Sequence, residues 1–160
     1  VPTFPKARYW LNRGEVEHAR NPSERDRASY FPENWEPLFE SGVVELFDTE
    51  AEPVPGLRVV KAPGHNADMC IALLDGGPGA RGVYLADLVP TAAHVPYAWV
   101  MAYDLFPLQT VDNKKKWLPL AAQEGWLCIF EHDPDVVLAT LEETRPGKLV
   151  AAPVETARDG

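Results

Sequence analysis

Three residues with ligand chemistry stand on segments shaped to present them. His65 lies in the corner Ala62-Pro63-Gly64-His65-Asn66, Asp87 follows Tyr84-Leu85-Ala86, and His132 lies in Phe130-Glu131-His132-Asp133-Pro134. Imidazole nitrogen and carboxylate oxygen are natural donors to zinc or iron. A carboxylate between two histidine-bearing segments is also suited to bridging two cations. Each residue has a plainer account as well. His65 can be a solvated turn residue, Asp87 the cap of a turn, and His132 a histidine at a helix start beside Asp133. Spacing alone leaves both accounts open.

The elements that must position these residues are legible around them. Residues 57–60 form a strand-like run that feeds the Pro63-Gly64 corner, where glycine permits backbone conformations closed to other residues. Residues 69–74 leave the corner as a second strand and turn through the glycine-rich hairpin 75–79. Residues 82–87 return antiparallel, which puts Asp87 at the end nearest the corner. The apolar run 126–130 predicts a buried strand that delivers His132 at its end. Asp133 as N-cap and Pro134 as first helical residue predict a helix through residue 143. Between Asp87 and the next helix, residues 88–109 are irregular and aromatic. A loop of that length commonly walls a site, so His94, Tyr97, Trp99 and Tyr103 are candidate substrate contacts. Residues 110–124 predict a helix with Trp117, Leu118, Ala121 and Ala122 on one stripe, Pro119 as a kink and Gly125 as its stop.

Upstream, residues 4–10 predict a strand and residues 14–27 a solvated, charged surface with a turn at Asn21-Pro22-Ser23. Residues 32–40 predict a short helix with Asn34 as N-cap, residues 43–47 a strand, and residues 53–56 a turn. Beyond residue 145 an edge strand at Leu149-Val150 precedes a fraying tail.

The three site motifs, taken in order, resemble the later ligand motifs of the metallo-β-lactamase superfamily. The nearest likeness is to the single-domain branch of N-acyl homoserine lactonases and glyoxalase II-like enzymes, over roughly residues 4–141. The resemblance implies an α/β fold: the C-terminal part of an αββα sandwich, with a mixed or antiparallel sheet, flanking helices and ligands at the sheet edge. It implies that His65 binds a first metal and His132 a second, with Asp87 bridging both as the catalytic carboxylate. The cofactors would be two divalent metal ions, zinc ahead of iron or manganese. A hydroxide between them would attack the carbonyl of an ester, lactone or thioester, so the partner is a small-molecule substrate.

One departure from the family is large. The motif His-x-His-x-Asp-His is absent, since the four histidines are His18, His65, His94 and His132. His18, among Glu15, Glu17 and Arg20, reads as a surface residue, and Met69 stands where many relatives have a second histidine. The expectation is therefore one domain over 1–160, an incomplete fold with residues 146–160 as tail. On that expectation its N-terminal portion would be missing, and the chain would be inactive alone. That missing portion, or a second copy of the chain, would cover the open sheet face. A mono-iron persulfide dioxygenase and a non-catalytic interaction module are the alternatives.

Composition narrows the partners. A formal charge of −9 disfavours nucleic acid and anionic membranes, and no apolar run is long enough to span a bilayer. Cys70 and Cys128, both within apolar runs, fit core positions and a reducing, cytoplasmic setting.

Overall fold

The computed structural model describes residues 2–155. Two compact units divide the chain, Val1–Glu50 and Ala51–Gly160.

In the first unit, strand β1 (Tyr9–Asn12) pairs in parallel with β2 (Val44–Phe47). Helices α1 (Arg13–Arg20) and α2 (Pro32–Glu40) lie between them in sequence. Helix α1 occupies a stretch whose charge reads as solvated surface. Its start is set by Asn12, whose side chain accepts from the Gly14 and Glu15 amides. Val16 and Ala19, three apart on one helical face, are buried. Helix α2 begins with Pro32 in its first turn, so Asn34 lies inside the helix rather than capping it.

In the second unit, seven strands line up in chain order: β3 (Glu50–Val54), β4 (Leu57–Lys61), β5 (Cys70–Asp75), β6 (Arg81–Tyr84), β7 (Leu127–Ile129), β8 (Leu138–Arg145) and β9 (Lys148–Pro153). The sheet is mixed: β6 and β7 run parallel, while β4/β5, β5/β6, β7/β8 and β8/β9 are antiparallel. Helix α3 (Pro107–Glu124) forms the crossover between the parallel pair, as parallel neighbours require. Val60, Ile71, Val83, Cys128 and Ala139 fall on one sheet face by register and form a core with Trp117, Leu118 and Ala121 of α3. Gly125 ends α3 in the left-handed conformation, with φ +66°. The fold is thus α/β, with a mixed sheet and few helices.

The helix expected after Asp133 is a strand. One Asp133 carboxylate oxygen accepts from the Asp135 and Val136 amides, and the other accepts from the Ala92 amide. The side chain thereby closes a turn and ties it to a second loop instead of starting a helix. The apolar run beyond it alternates buried and half-buried positions through Leu141 and pairs as β8. At the C-terminus, β9 is a full edge strand from Lys148 rather than a two-residue pairing, and residues 156–160 of the expected tail lie outside the described residues. Strand β3 takes up the first half of the stretch read as a turn, which closes at Pro55-Gly56. Among the described residues, no helix is long and apolar enough to cross a membrane.

Candidate metal centre

Strand direction brings the ligand candidates together. Strand β4 is antiparallel to β5, β5 is antiparallel to β6, and β6 is parallel to β7, so β4, β6 and β7 all end at the same sheet edge. His65, Asp87 and His132 each follow one of those three ends. Carboxyl ends of strands are where such sheets bind ligands.

The His65 corner is held from several sides. The Ala62 amide donates to the Met69 carbonyl at its base, and Lys61 pairs with Asp68. Phe106 and Leu105 amides donate to the carbonyls of Gly64 and His65, and Asn113 Nδ2 donates to the Pro63 carbonyl. Gly64 lies so close to α3 that an added Cβ would sit 2.3 Å from Thr110 Oγ1 and 2.6 Å from its backbone nitrogen. Only glycine permits that approach.

A buried carboxylate then sets the ring of His65. Asp104, with a side chain 1% exposed, lies 3.3 Å from His65 Nδ1, and Thr110 Oγ1 donates to its other oxygen at 2.8 Å. A proton on Nδ1 would face that carboxylate and make Nε2 the donor atom toward a cation, as in carboxylate–histidine pairs at metal sites. His65 Nε2 lies 3.6 Å from Asp87 Oδ2.

Asp87 sits in a single 3-10 turn, Ala86–Leu88, rather than on β6 itself. The preceding Ala86 has φ +47°, a left-handed conformation unusual for a residue with a Cβ. Strain of this kind gathers at functional turns. The other Asp87 oxygen, Oδ1, lies 3.4 Å from His132 Nε2. His132 is tethered through its amide, which donates to the Pro90 carbonyl, and through the Asp133 turn beside it. The amides of Val136, Ala92 and Asp135 hold the Asp133 carboxyl below the usual carboxylate range, although burial opposes them.

Asp87 therefore turns one oxygen to each histidine. Both separations exceed a good N–H···O distance. Two bonds of about 2.0–2.1 Å at a tetrahedral angle would hold their donor atoms about 3.3–3.4 Å apart. The donor set and its spacing fit divalent cations. Glu131 extends the set: its Oε1 lies 3.1 Å from His132 Nε2, and one donor atom each from Asp87, Glu131 and His132 lie within 4.8 Å of one another.

The loop candidates are placed differently. His94 Nδ1 shares a hydrogen bond of 2.7 Å with Thr91 Oγ1, within its own loop. Tyr97 is half-buried beside Leu141, Glu143 and Leu149, and burial raises its hydroxyl pKa, with Glu143 adding to the effect. Trp99 and Tyr103 stand 60% and 75% exposed. His18, in the first unit, pairs with Asp26 at 2.6 Å. Cys128 is in the core, its thiol pushed up to about 12 by burial.

Sequence reasoning missed Asp104, Thr110 and Glu131. The first two have no local signal, because their partner is distant in the chain. Glu131 had one, being the carboxylate next to His132.

No protein-family model matches the sequence, and no curated protein does either. Solved structures do. A probable metal-dependent hydrolase from Staphylococcus aureus aligns with a TM-score of 0.83 at 26% identity, over 96% of this chain and 54% of that one. The hydrolase AbOPH of the beta-lactamase superfamily gives 0.82 at 16% identity, over 98% of this chain and 58% of that one. AidC, a dizinc quorum-quenching lactonase determined with a bound product, gives 0.78 at 17% identity, over 99% and 58%. The chain spans little more than half the length of these relatives.

Proposed function

We propose that this chain, which carries part of the metallo-β-lactamase fold, is the share of a metal-dependent hydrolase that brings His65, Asp87 and His132 to its metals. The observation that carries the reading is the two-sided Asp87, with one oxygen toward His65 at 3.6 Å and the other toward His132 at 3.4 Å. His65 and Asp87 would hold one divalent cation, and Asp87, His132 and Glu131 the other, with zinc the first choice. Bound there, the cations would supply Lewis acidity toward a carbonyl oxygen and acidify a water for attack at neutral pH.

The chain's own residues do the rest. Asp104 keeps the His65 ring turned so that Nε2 faces Asp87. Asp87 divides its charge between two positions. Exposed Trp99 and Tyr103 offer apolar surface to a small-molecule ester, lactone or thioester. Further ligands would come from the portion of the fold that this chain does not span, and that portion or a second copy would pack on the sheet.

The test uses the whole protein. Metal analysis should give two zinc equivalents, and a panel of lactones, aryl esters and thioesters should show turnover that Asp87→Ala abolishes together with metal at both positions. A single iron with oxygen uptake would favour a dioxygenase. Absence of metal from the whole protein would leave an interaction module.

A further inference from the structure

Helix α3 carries a lysine that the metal centre does not use. Lys114 is 0% exposed, although lysine is almost never fully buried without a partner. Its ammonium has three N–H donors, and all three are taken by carbonyls of one loop: His94 at 2.5 Å, Pro96 at 2.7 Å and Trp99 at 2.8 Å. Burial pushes its pKa down to about 8, against the pull of Asp104. Asp104 is also the carboxylate that holds His65.

The loop concerned is fixed at both ends to the ligand cluster. At one end Pro90 accepts from the His132 amide, and the Ala92 amide donates to Asp133. At the other end the Leu105 and Phe106 amides donate to His65 and Gly64. Between those ends the chain lies in no strand; local amides serve the Thr91, Ala92, Pro96 and Met101 carbonyls, while those of His94 and Trp99 need a donor from outside the loop. Lys114 supplies it.

We propose that Lys114 is a positioning residue, an internal cation that holds the 94–99 wall in one conformation between the His132 turn and the His65 corner. Its value to substrate binding rests on the hydrolase reading above, since His94 and Trp99 lie on that wall. The holding action itself does not.

The experiment is amide hydrogen exchange on the whole protein, comparing Lys114→Met and Lys114→Ala with the parent. Val95, Trp99, Asp104 and Leu105 have hydrogen-bonded amides that report the segment. Their exchange should accelerate at least about tenfold in both variants, with amides of β4 to β7 little changed. Adding n-propylammonium to Lys114→Ala should restore protection, while n-propanol should not. Unchanged protection of the segment would overturn the proposal. Uniform loss across the sheet would also do so, because Lys114 would then be a core residue only. Equal rescue by alcohol and ammonium would remove the role of charge. Zinc content measured on the same samples separates the two readings. A segment that responds as expected in a protein that takes up no zinc would sink the hydrolase reading alone.

Discussion

Asp104 and His65 meet at 3.3 Å across 39 positions of sequence, and Thr110 steadies the carboxylate from the first turns of α3. The imidazole is thus aimed from behind by a group with almost no solvent contact. Asp104→Asn keeps the shape but loses the charge that favours a proton on Nδ1. Zinc affinity at the His65 position should fall about 10- to 100-fold in a competition titration of the whole protein, with the His132 position little affected. Equal weakening of both positions would contradict this assignment.

Gly64→Ala should be poorly tolerated. The new methyl would meet the backbone nitrogen of Thr110 at 2.6 Å, and backbone cannot swing aside as a side-chain end can. A loss of about 1–3 kcal/mol in chemical denaturation is expected. The His65 ring signals should shift in the same variant, because the corner must move off α3.

Ala86→Gly should have the opposite sign. Its left-handed backbone, with φ +47°, costs roughly 1–2 kcal/mol for a residue with a Cβ. Glycine removes that strain but adds freedom to the unfolded chain, so a net gain of up to about 1 kcal/mol should appear as a higher unfolding midpoint. Zinc occupancy should drop as the turn holding Asp87 loosens. A variant that is less stable than its parent would show that the conformation is not strained.

Asp133 gives the chain an acid-side stability limb. Its folded pKa lies below the ordinary value of 3.8, chiefly through the Val136 amide, with Ala92 and Asp135 adding to it. A depressed carboxyl contributes stability that is present above the unfolded pKa and is lost as pH falls through the folded one. Asp133→Ala should therefore lie well below its parent in stability at pH 6, with the gap closing below about pH 4. A pH-independent gap would assign the loss to packing.

The convergence of His65, Asp87 and His132 was readable because each follows a short apolar run, and runs of that kind end where a sheet ends. What lay beyond local pattern was not readable. Asp104 and Thr110 acquire their role only when α3 docks on the His65 corner. Asp133-Pro134 satisfies the rules for a helix start and for a side-chain-closed turn alike, and the β-branched and alternating residues after it decided for the turn. In α1, heavy charge concealed the Val16 and Ala19 face. Tyr97, grouped with the loop aromatics by composition, lies beside Leu141 and Leu149 of the last two strands, neighbours distant in the chain.

The parallel pairing of β6 and β7 also bears on the order in which the chain can assemble. Strands β4, β5 and β6 form a meander whose partners are close in sequence, so the His65 and Asp87 half of the cluster needs only short-range closure. His132 arrives when Leu127 reaches Gly82 across the whole 3-10 turn, loop and helix between them. Closing that larger loop costs more chain entropy, and nonlocal pairing of this kind is slow. Completion of the cluster would thus mark a late folding event. A cation that binds across Asp87 and His132 would act on that step, drawing the chain through its slowest closure.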